Sequence, residues 1–398
     1  MKNDVSLLTD LRNQLDNLKQ QQLWRRRFNV DTACAPEIEV DGRKLMAFCS
    51  NDYLGLAADP QIINALSEGV SLYGAGSGAS HLISGHSRVH DKLETALAEF
   101  FSTYFPLGRA LYLSSGYMAN LAVITALADR STDIFSEALN HASLIDAVRL
   151  SRAKITVYPH TDLSTLSAML ESSTAERKLV VTDGVFSMDG DMAPLNDLLN
   201  LCERHDAWLI VDDAHGFGVL GQQGRGIVEH FSACSERLIL IGTLSKAAGI
   251  AGAFISAHET IIEWLVQRAR PYIYSTASPP ALAHALLTSL EIIAGEEGAR
   301  RRAVLRQRIA QWKSTLHLKH WQLLESVTPI QPVVIGDNAH TMSAAHSLRE
   351  HGFWVGSVRP PTVPLGTARL RVTLSSSHTE AQVAQLAMTM NSLEEASS

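Results

Sequence analysis

The chain has 398 residues, 46% hydrophobic and 19% charged, with a formal net charge of -7. This is a globular composition with ample core material, and an acidic balance with dispersed basic residues excludes an electrostatic nucleic-acid footprint. No stretch reaches the roughly 20 apolar residues needed to span a bilayer, and a start carrying Asp4 and Asp10 without an apolar run is no secretory signal; the expectation is a soluble, cytoplasmic protein without membrane partners.

Residues 5–28 place Leu7, Leu8, Leu11, Leu15 and Leu18 at helical spacing, which predicts an amphipathic helix. Arg25-Arg26-Arg27 near its end, and Arg300-Arg301-Arg302 later, read as solvated helix faces. Residues 36–50 read as a hairpin, with Ile38 to Val40 and Lys44 to Phe48 joined by a turn at Asp41-Gly42. From about residue 60 to 280 short apolar strands alternate with helices. The strands are Ala110–Leu113, Asp133–Ser136, Lys154–Tyr158, Lys178–Thr182, Trp208–Val211, Arg237–Ile241 and Gly252–Ile255. Helices fall between them, for example at 117–128, 143–151, 162–171 and 194–205. Such alternation implies an α/β fold with a large, mostly parallel sheet covered by helices on both faces. Residues 280–318 hold one or two long helices. Fresh strands at 328–335, 353–355 and 367–373, with helices at 341–350 and 379–390, form a small α+β C-terminal domain. The expected division is 1–50, 51–285 and 286–398. Cys34, Cys49, Cys202 and Cys234 form no C-x-x-C pair and no metal spacing, which fits a reducing compartment and no metal site.

The chemistry gathers where strands end. Lys246 sits in Thr243-Leu244-Ser245-Lys246-Ala247-Ala248-Gly249, just past the strand ending at Ile241, among small residues that let a flat ligand approach. Asp212 follows Trp208-Leu209-Ile210-Val211, and His215 comes three residues later. In open α/β sheets ligands bind at the carboxyl ends of strands. A lysine amine that can form a Schiff base, and a carboxylate that can hold a pyridine nitrogen protonated, together point to pyridoxal 5'-phosphate (PLP). Ser114-Ser115-Gly116-Tyr117-Met118-Ala119-Asn120 offers a helix start for the phosphate, and Thr243 adds a hydroxyl. His141, in Asn140-His141-Ala142-Ser143, is placed to stack on the ring. Ser187, in Thr182 to Gly190, offers a hydroxyl, and His215 a hydrogen bond to a ring substituent. Asp213 reads as structural.

Taken together, these motifs resemble those of the α-oxoamine synthases, a branch of the fold-type-I PLP enzymes. The resemblance runs nearly end to end. It covers Ser50-Asn51-Asp52-Tyr53-Leu54-Gly55-Leu56, then Gly74-Ala75-Gly76-Ser77-Gly78-Ala79-Ser80-His81-Leu82-Ile83-Ser84-Gly85. It continues through Asn140 to Ser143, Gly184 to Gly190, Asp212 to Gly216 and Thr243 to Lys246, and closes at Arg359-Pro360-Pro361-Thr362-Val363-Pro364 and Arg369-Leu370-Arg371. It implies a fold-type-I transferase in which Lys246 carries the cofactor imine, Asp212 pairs with the pyridine nitrogen and His141 stacks on the ring. Gly116, Tyr117 and Thr243 would hold the phosphate, and Ser187 and His215 the ring substituents. Arg359 would pair with the substrate carboxylate, and Arg25 and Thr362 would contact the acyl substrate. Ala248 departs from the larger residue common at that position.

The wording of Ser80 to Gly85 and of Arg359 to Pro364 is most similar to members that condense L-alanine with a pimeloyl thioester in biotin synthesis. A sibling synthase using glycine or a different acyl thioester stays open. So do an aminotransferase, which would release no CO2, and an inactive partner subunit, which would lack the lysine. The acyl group would arrive on coenzyme A or on an acyl carrier protein. The resemblance also implies a homodimer with the site at the subunit interface, into which Tyr272-Ile273-Tyr274-Ser275-Thr276 would cross.

Overall fold

The structure is a computed structural model that describes residues 6–105 and 107–396. Residue 5, where the expected N-terminal helix opens, Asp4 before it, and residues 397–398 of the C-terminal segment lie outside the described residues. Helix α1 spans Leu7–Gln20, with Ser6 as its N-cap. It ends well before residue 28. Gln22 takes a left-handed φ of 59°, and the Leu23 N–H closes back on the Leu18 carbonyl at 2.8 Å, a helix-ending bond. All five leucines of its apolar stripe are exposed. The hairpin forms as its turn chemistry dictates, with β1 at Glu37–Val40 and β2 at Arg43–Phe48. Asp41 and Gly42 both take positive φ in its two-residue turn.

Helices α2 (Pro60–Tyr73) and α3 (Arg88–Phe100) precede the next strand, and α4 (Gly116–Leu127) follows it. The large sheet comprises β3 (Gly108–Leu113), β4 (Thr132–Glu137), β5 (Lys154–Tyr158), β6 (Arg177–Asp183), β7 (Trp208–Asp212), β8 (Leu238–Thr243) and β9 (Ala253–His258). Its order is β3-β9-β8-β7-β6-β4-β5. Neighbours are parallel except where β9 runs against both β3 and β8. Successive side chains point to opposite faces. Leu209, Val211 and Leu240 therefore enter one buried cluster, while Ile210, Ile239 and Ile241 enter the other. That two-sided burial explains why β7 and β8 read as continuous apolar runs.

The 280–318 stretch is two helices, Pro280–Ala294 and Glu296–Thr315. Here one reading of the sequence fails. Arg302 is not on a solvated face; it is 1% exposed. Its guanidinium donates to the carbonyls of Ile293 and Gln222, and Arg301 reaches Asp59 and the Leu54 carbonyl. Only Arg300 points mainly to water. Arg302 lies on the same face as the buried Gly298, Leu305, Ile309 and Trp312, and its charge hides that placement because its carbonyl acceptors sit at the end of the preceding helix and at Gln222.

The remaining strands are β10 (Gln322–Leu323), β11 (Ile330–Gly336), β12 (Phe353–Val358) and β13 (Ala368–Thr373). They form a second sheet with the N-terminal hairpin, in the order β1-β2-β12-β13-β11-β10. β2 lies parallel to β12, Met46 opposite Phe353 and Phe48 opposite Val355. All four cysteines are free thiols. Among the described residues no helix is long and apolar enough to cross a membrane.

Candidate active site

The carboxyl ends of β4, β6, β7 and β8 converge on one cluster. Lys246 lies in the turn after β8. Its Nζ sits 2.8 Å from Nε2 of His215, in the turn after β7. Burial pulls the amine down to about 8, against the pull of the Asp212 and Asp183 carboxylates, with Arg371 lowering it further. A lysine so held is partly neutral near physiological pH and therefore nucleophilic. His215 is fully enclosed, and burial, with Lys246 beside it, keeps its ring neutral. Its Nδ1 meets the Tyr53 hydroxyl at 2.6 Å, and that hydroxyl donates to Asn51 Oδ1 at 3.0 Å. A neutral ring accepting from Lys246 leaves Nδ1 as the donor, so the chain of bonds runs from Lys246 through His215 and Tyr53 to Asn51.

Asp212 closes β7 and is buried. Its Oδ1 accepts the Ala214 N–H at 3.0 Å and its Oδ2 accepts Asn120 Nδ2 at 2.7 Å. Asn120 also donates to Ser143 at 2.8 Å. His141 caps helix α5 (Ala142–Leu150), its Nδ1 facing the Ser143 hydroxyl at 2.7 Å. Its own N–H donates to Asp183 at 2.7 Å. The His141 ring is held below its ordinary pKa by burial, with Asp212 and Lys246 acting on it in opposite senses. Asp183 is forced well above the usual carboxylate range by burial and by the Asp212 charge. Asp213 serves structure, as read from the sequence, accepting the Ile227 N–H at 2.8 Å.

The helix α4 start faces the same end of the sheet. Ser115 caps it by accepting the Met118 N–H, and the first N–H groups of a helix lack intrahelical acceptors. A Cβ on Gly116 would lie 3.8 Å from the Thr243 side chain, so helix start and Thr243 adjoin. Tyr117 is 43% exposed, and its hydroxyl donates to Asp146. Ser187 enters through its carbonyl, which accepts from Arg371 Nε; Arg371 also reaches Asn51.

Arg25, Arg359 and Thr362 form a second group on the small-sheet side. Arg359 follows β12 and donates to the Gln22 carbonyl. Burial and the Arg25 charge hold its guanidinium below the ordinary value. Thr362 is exposed and its N–H donates to the Arg359 carbonyl at 3.1 Å.

Sequence reasoning assigned no role to Tyr53, Asn51, Asn120, Asp183 or Arg371. All five lie inside stretches quoted above, so the signal was present without the contact that explains it. A further trio, His81, His86 and His90, brings ligand atoms within 4.8 Å of one another. His90 is already committed, one nitrogen to Ser87 and the other to the Ser278 carbonyl, and so acts as a cap.

The site fits PLP. It offers a depressed lysine amine, a buried carboxylate with one amide partner, a solvent-exposed histidine, and a glycine-bearing helix start beside a hydroxyl. The Asn120 Oδ1 atom, buried without a protein partner, marks polar capacity still unused.

The comparisons with known proteins agree. Residues 43–389 match the family described as aminotransferase class I and II. The chain belongs to that family, and within it to the α-oxoamine synthase branch of the fold-type-I PLP enzymes. Its relatives are specific. The 8-amino-7-oxononanoate synthase of Janthinobacterium sp. (strain Marseille) is 62% identical over 389 residues, covering 98% of this chain and 99% of that protein. That of Bordetella petrii is 59% identical over 390 residues, 98% of each chain. Among solved structures, a PLP-bound serine palmitoyltransferase from S. paucimobilis superposes with a TM-score of 0.89 at 27% identity, covering 99% of both chains. The 8-amino-7-oxononanoate synthase of Francisella tularensis superposes with a TM-score of 0.75 at 31% identity, covering 89% of this chain and 98% of that one.

Proposed function

We propose that the protein catalyses the 8-amino-7-oxononanoate synthase reaction, joining L-alanine to a pimeloyl thioester in biotin synthesis. The observation that carries this is 62% identity over 98% of the chain, together with a cluster in which Lys246, Asp212, His141 and His215 act on one another. A carbon–carbon bond forms between the alanine Cα and the acyl carbonyl carbon. The thiol leaves, the alanine carboxylate departs as CO2, and an amino ketone remains.

When bound, PLP supplies an electron sink for the charge on the alanine Cα. Lys246 is the group that holds the cofactor, removes the Cα proton and later returns it; an amine near pKa 8 suits both directions. Asp212 keeps a proton on the pyridine nitrogen, and Asn120 and the Ala214 N–H fix the carboxylate for that task. His141 would stack over the cofactor ring, Gly116, Tyr117 and Thr243 would hold its phosphate, and Ser187 and His215 would hold its ring substituents. Arg359 pairs bidentately with the alanine carboxylate, while Arg25 and Thr362 contact the acyl chain. We further propose a cytoplasmic homodimer with Tyr272 to Thr276 reaching the partner's site, supported by the 70% exposure of Tyr274. The exposed arginines at 25–27 would dock an acyl carrier protein or coenzyme A.

The structural similarity to serine palmitoyltransferase favours a second reading, an oxoamine synthase with another amino acid, such as glycine, or another acyl thioester. Assays with alanine and pimeloyl-coenzyme A or pimeloyl-carrier protein, following thiol and CO2 together, separate the two. Turnover only with a different amino acid or acyl chain replaces the first reading by the second.

A further inference from the structure

His160 lies outside the cluster just described, two residues past the edge strand β5. Its Nδ1 is 2.7 Å from Glu137 Oε1 and its Nε2 is 2.8 Å from Asp191 Oδ2. Both carboxylates are acceptors when ionised, so both ring nitrogens must donate, and the ring must be imidazolium. The edge of this ring meets Phe186, centroids 4.6 Å apart at 85°. Each carboxylate belongs to a different loop. Glu137 ends β4, is 1% exposed, and its other oxygen accepts the Leu139 N–H; this loop delivers His141. Asp191 closes the turn after β6, where its carbonyl accepts the Phe186 N–H at 3.0 Å; this turn delivers Ser187. Nearer the site the same two loops are joined by Asn140, which bonds the Val181 carbonyl and the Asp183 N–H, and by His141 on Asp183.

We propose that His160 is a positioning residue whose imidazolium clamps the His141 loop to the Ser187 loop, fixing the separation between the group over the cofactor ring and the group at its edge. The inference rests on the reading of His141 and Ser187 as cofactor contacts. It needs no contact between His160 and the cofactor. Asp191 and Glu137, one from each loop, are the charged groups that act on the ring, and they hold it up to about 10. Because that exceeds the ordinary 6.5, the clamp is complete at neutral pH and is lost as pH rises towards 10.

The test uses PLP-free protein with 15N-labelled histidine. At pH 8.5 the His160 ring should carry both protons, while ordinary histidines have lost one. His160→Gln should weaken PLP binding, read from the lysine-imine absorbance, by roughly tenfold, the scale of losing a charged hydrogen bond. Asp191→Asn, which keeps the ring, should bring the His160 midpoint down and weaken PLP binding in the same direction; it stands in if the glutamine variant does not fold. A His160 midpoint below 7 overturns the proposal. So does a variant with a lowered melting temperature but unchanged PLP affinity in its folded fraction, since that describes a structural role alone. If the wild-type protein binds no PLP, the functional reading fails first, and the NMR midpoint still reports whether the clamp exists.

Discussion

Consider replacing Asp212 by Asn in the PLP-free protein and following the Lys246 amine. With its pKa at about 8 rather than 10.5, the amine is roughly 9% neutral at pH 7 instead of roughly 0.03%, a gain of about 300-fold in the reactive form. Burial is the largest cause, and Asp212 opposes it by stabilising the ammonium. Removing that anion while keeping the side-chain shape should therefore move the midpoint below 8, and Arg371→Gln should move it up. Reductive alkylation of the apo protein over a pH series, with Lys246 read by peptide mass spectrometry, measures the midpoint directly. A wild-type midpoint near 10, or an upward shift in Asp212→Asn, would refute the reasoning. A stability consequence follows with a definite sign. Between pH 8 and 10.5 the unfolded chain binds more protons at this lysine than the folded one, so its contribution to stability rises with pH across that window and the full penalty stands below 8.

Gly249→Ala should damage the lysine turn, because the residue has φ +74° and a new Cβ would lie 2.5 Å from the Leu56 carbonyl carbon; a loss above about 2 kcal/mol is expected in urea unfolding. Asn120→Ala removes the amide held 2.7 Å from Asp212 and should weaken PLP binding roughly tenfold; an unchanged spectroscopic titration would remove Asn120 from the site. Tyr53→Phe strands the His215 Nδ1–H in a buried place, which should lower stability by about 1–3 kcal/mol and show as an earlier denaturation midpoint.

Much of this architecture was legible because burial on both faces writes itself into composition. Leu238 to Ile241 is apolar throughout since Ile239 and Ile241 serve one core and Leu238 and Leu240 the other. Lys246 and Asp212 were legible because each follows such a run, where ligand chemistry belongs. What stayed hidden depends on partners far along the chain. Tyr53 meets His215 across 162 positions and Arg371 meets Asn51 across 320, and no local pattern encodes either pairing. Arg302 likewise reaches the Gln222 carbonyl 80 positions away, and strand order is left undetermined by apolar content. The end of α1 escaped notice because a left-handed Gln22 carries no glycine to announce it.

The pairing of β2 with β12 has a consequence for biogenesis. Phe48 leaves the ribosome about 300 residues ahead of its neighbour Val355, a wait of roughly 15–60 s at ordinary bacterial elongation rates. For that interval the N-terminal ribbon is a lone two-stranded hairpin with an unclaimed edge, an arrangement marginal in water. Chaperone occupancy of the nascent chain should accordingly persist until translation is nearly finished.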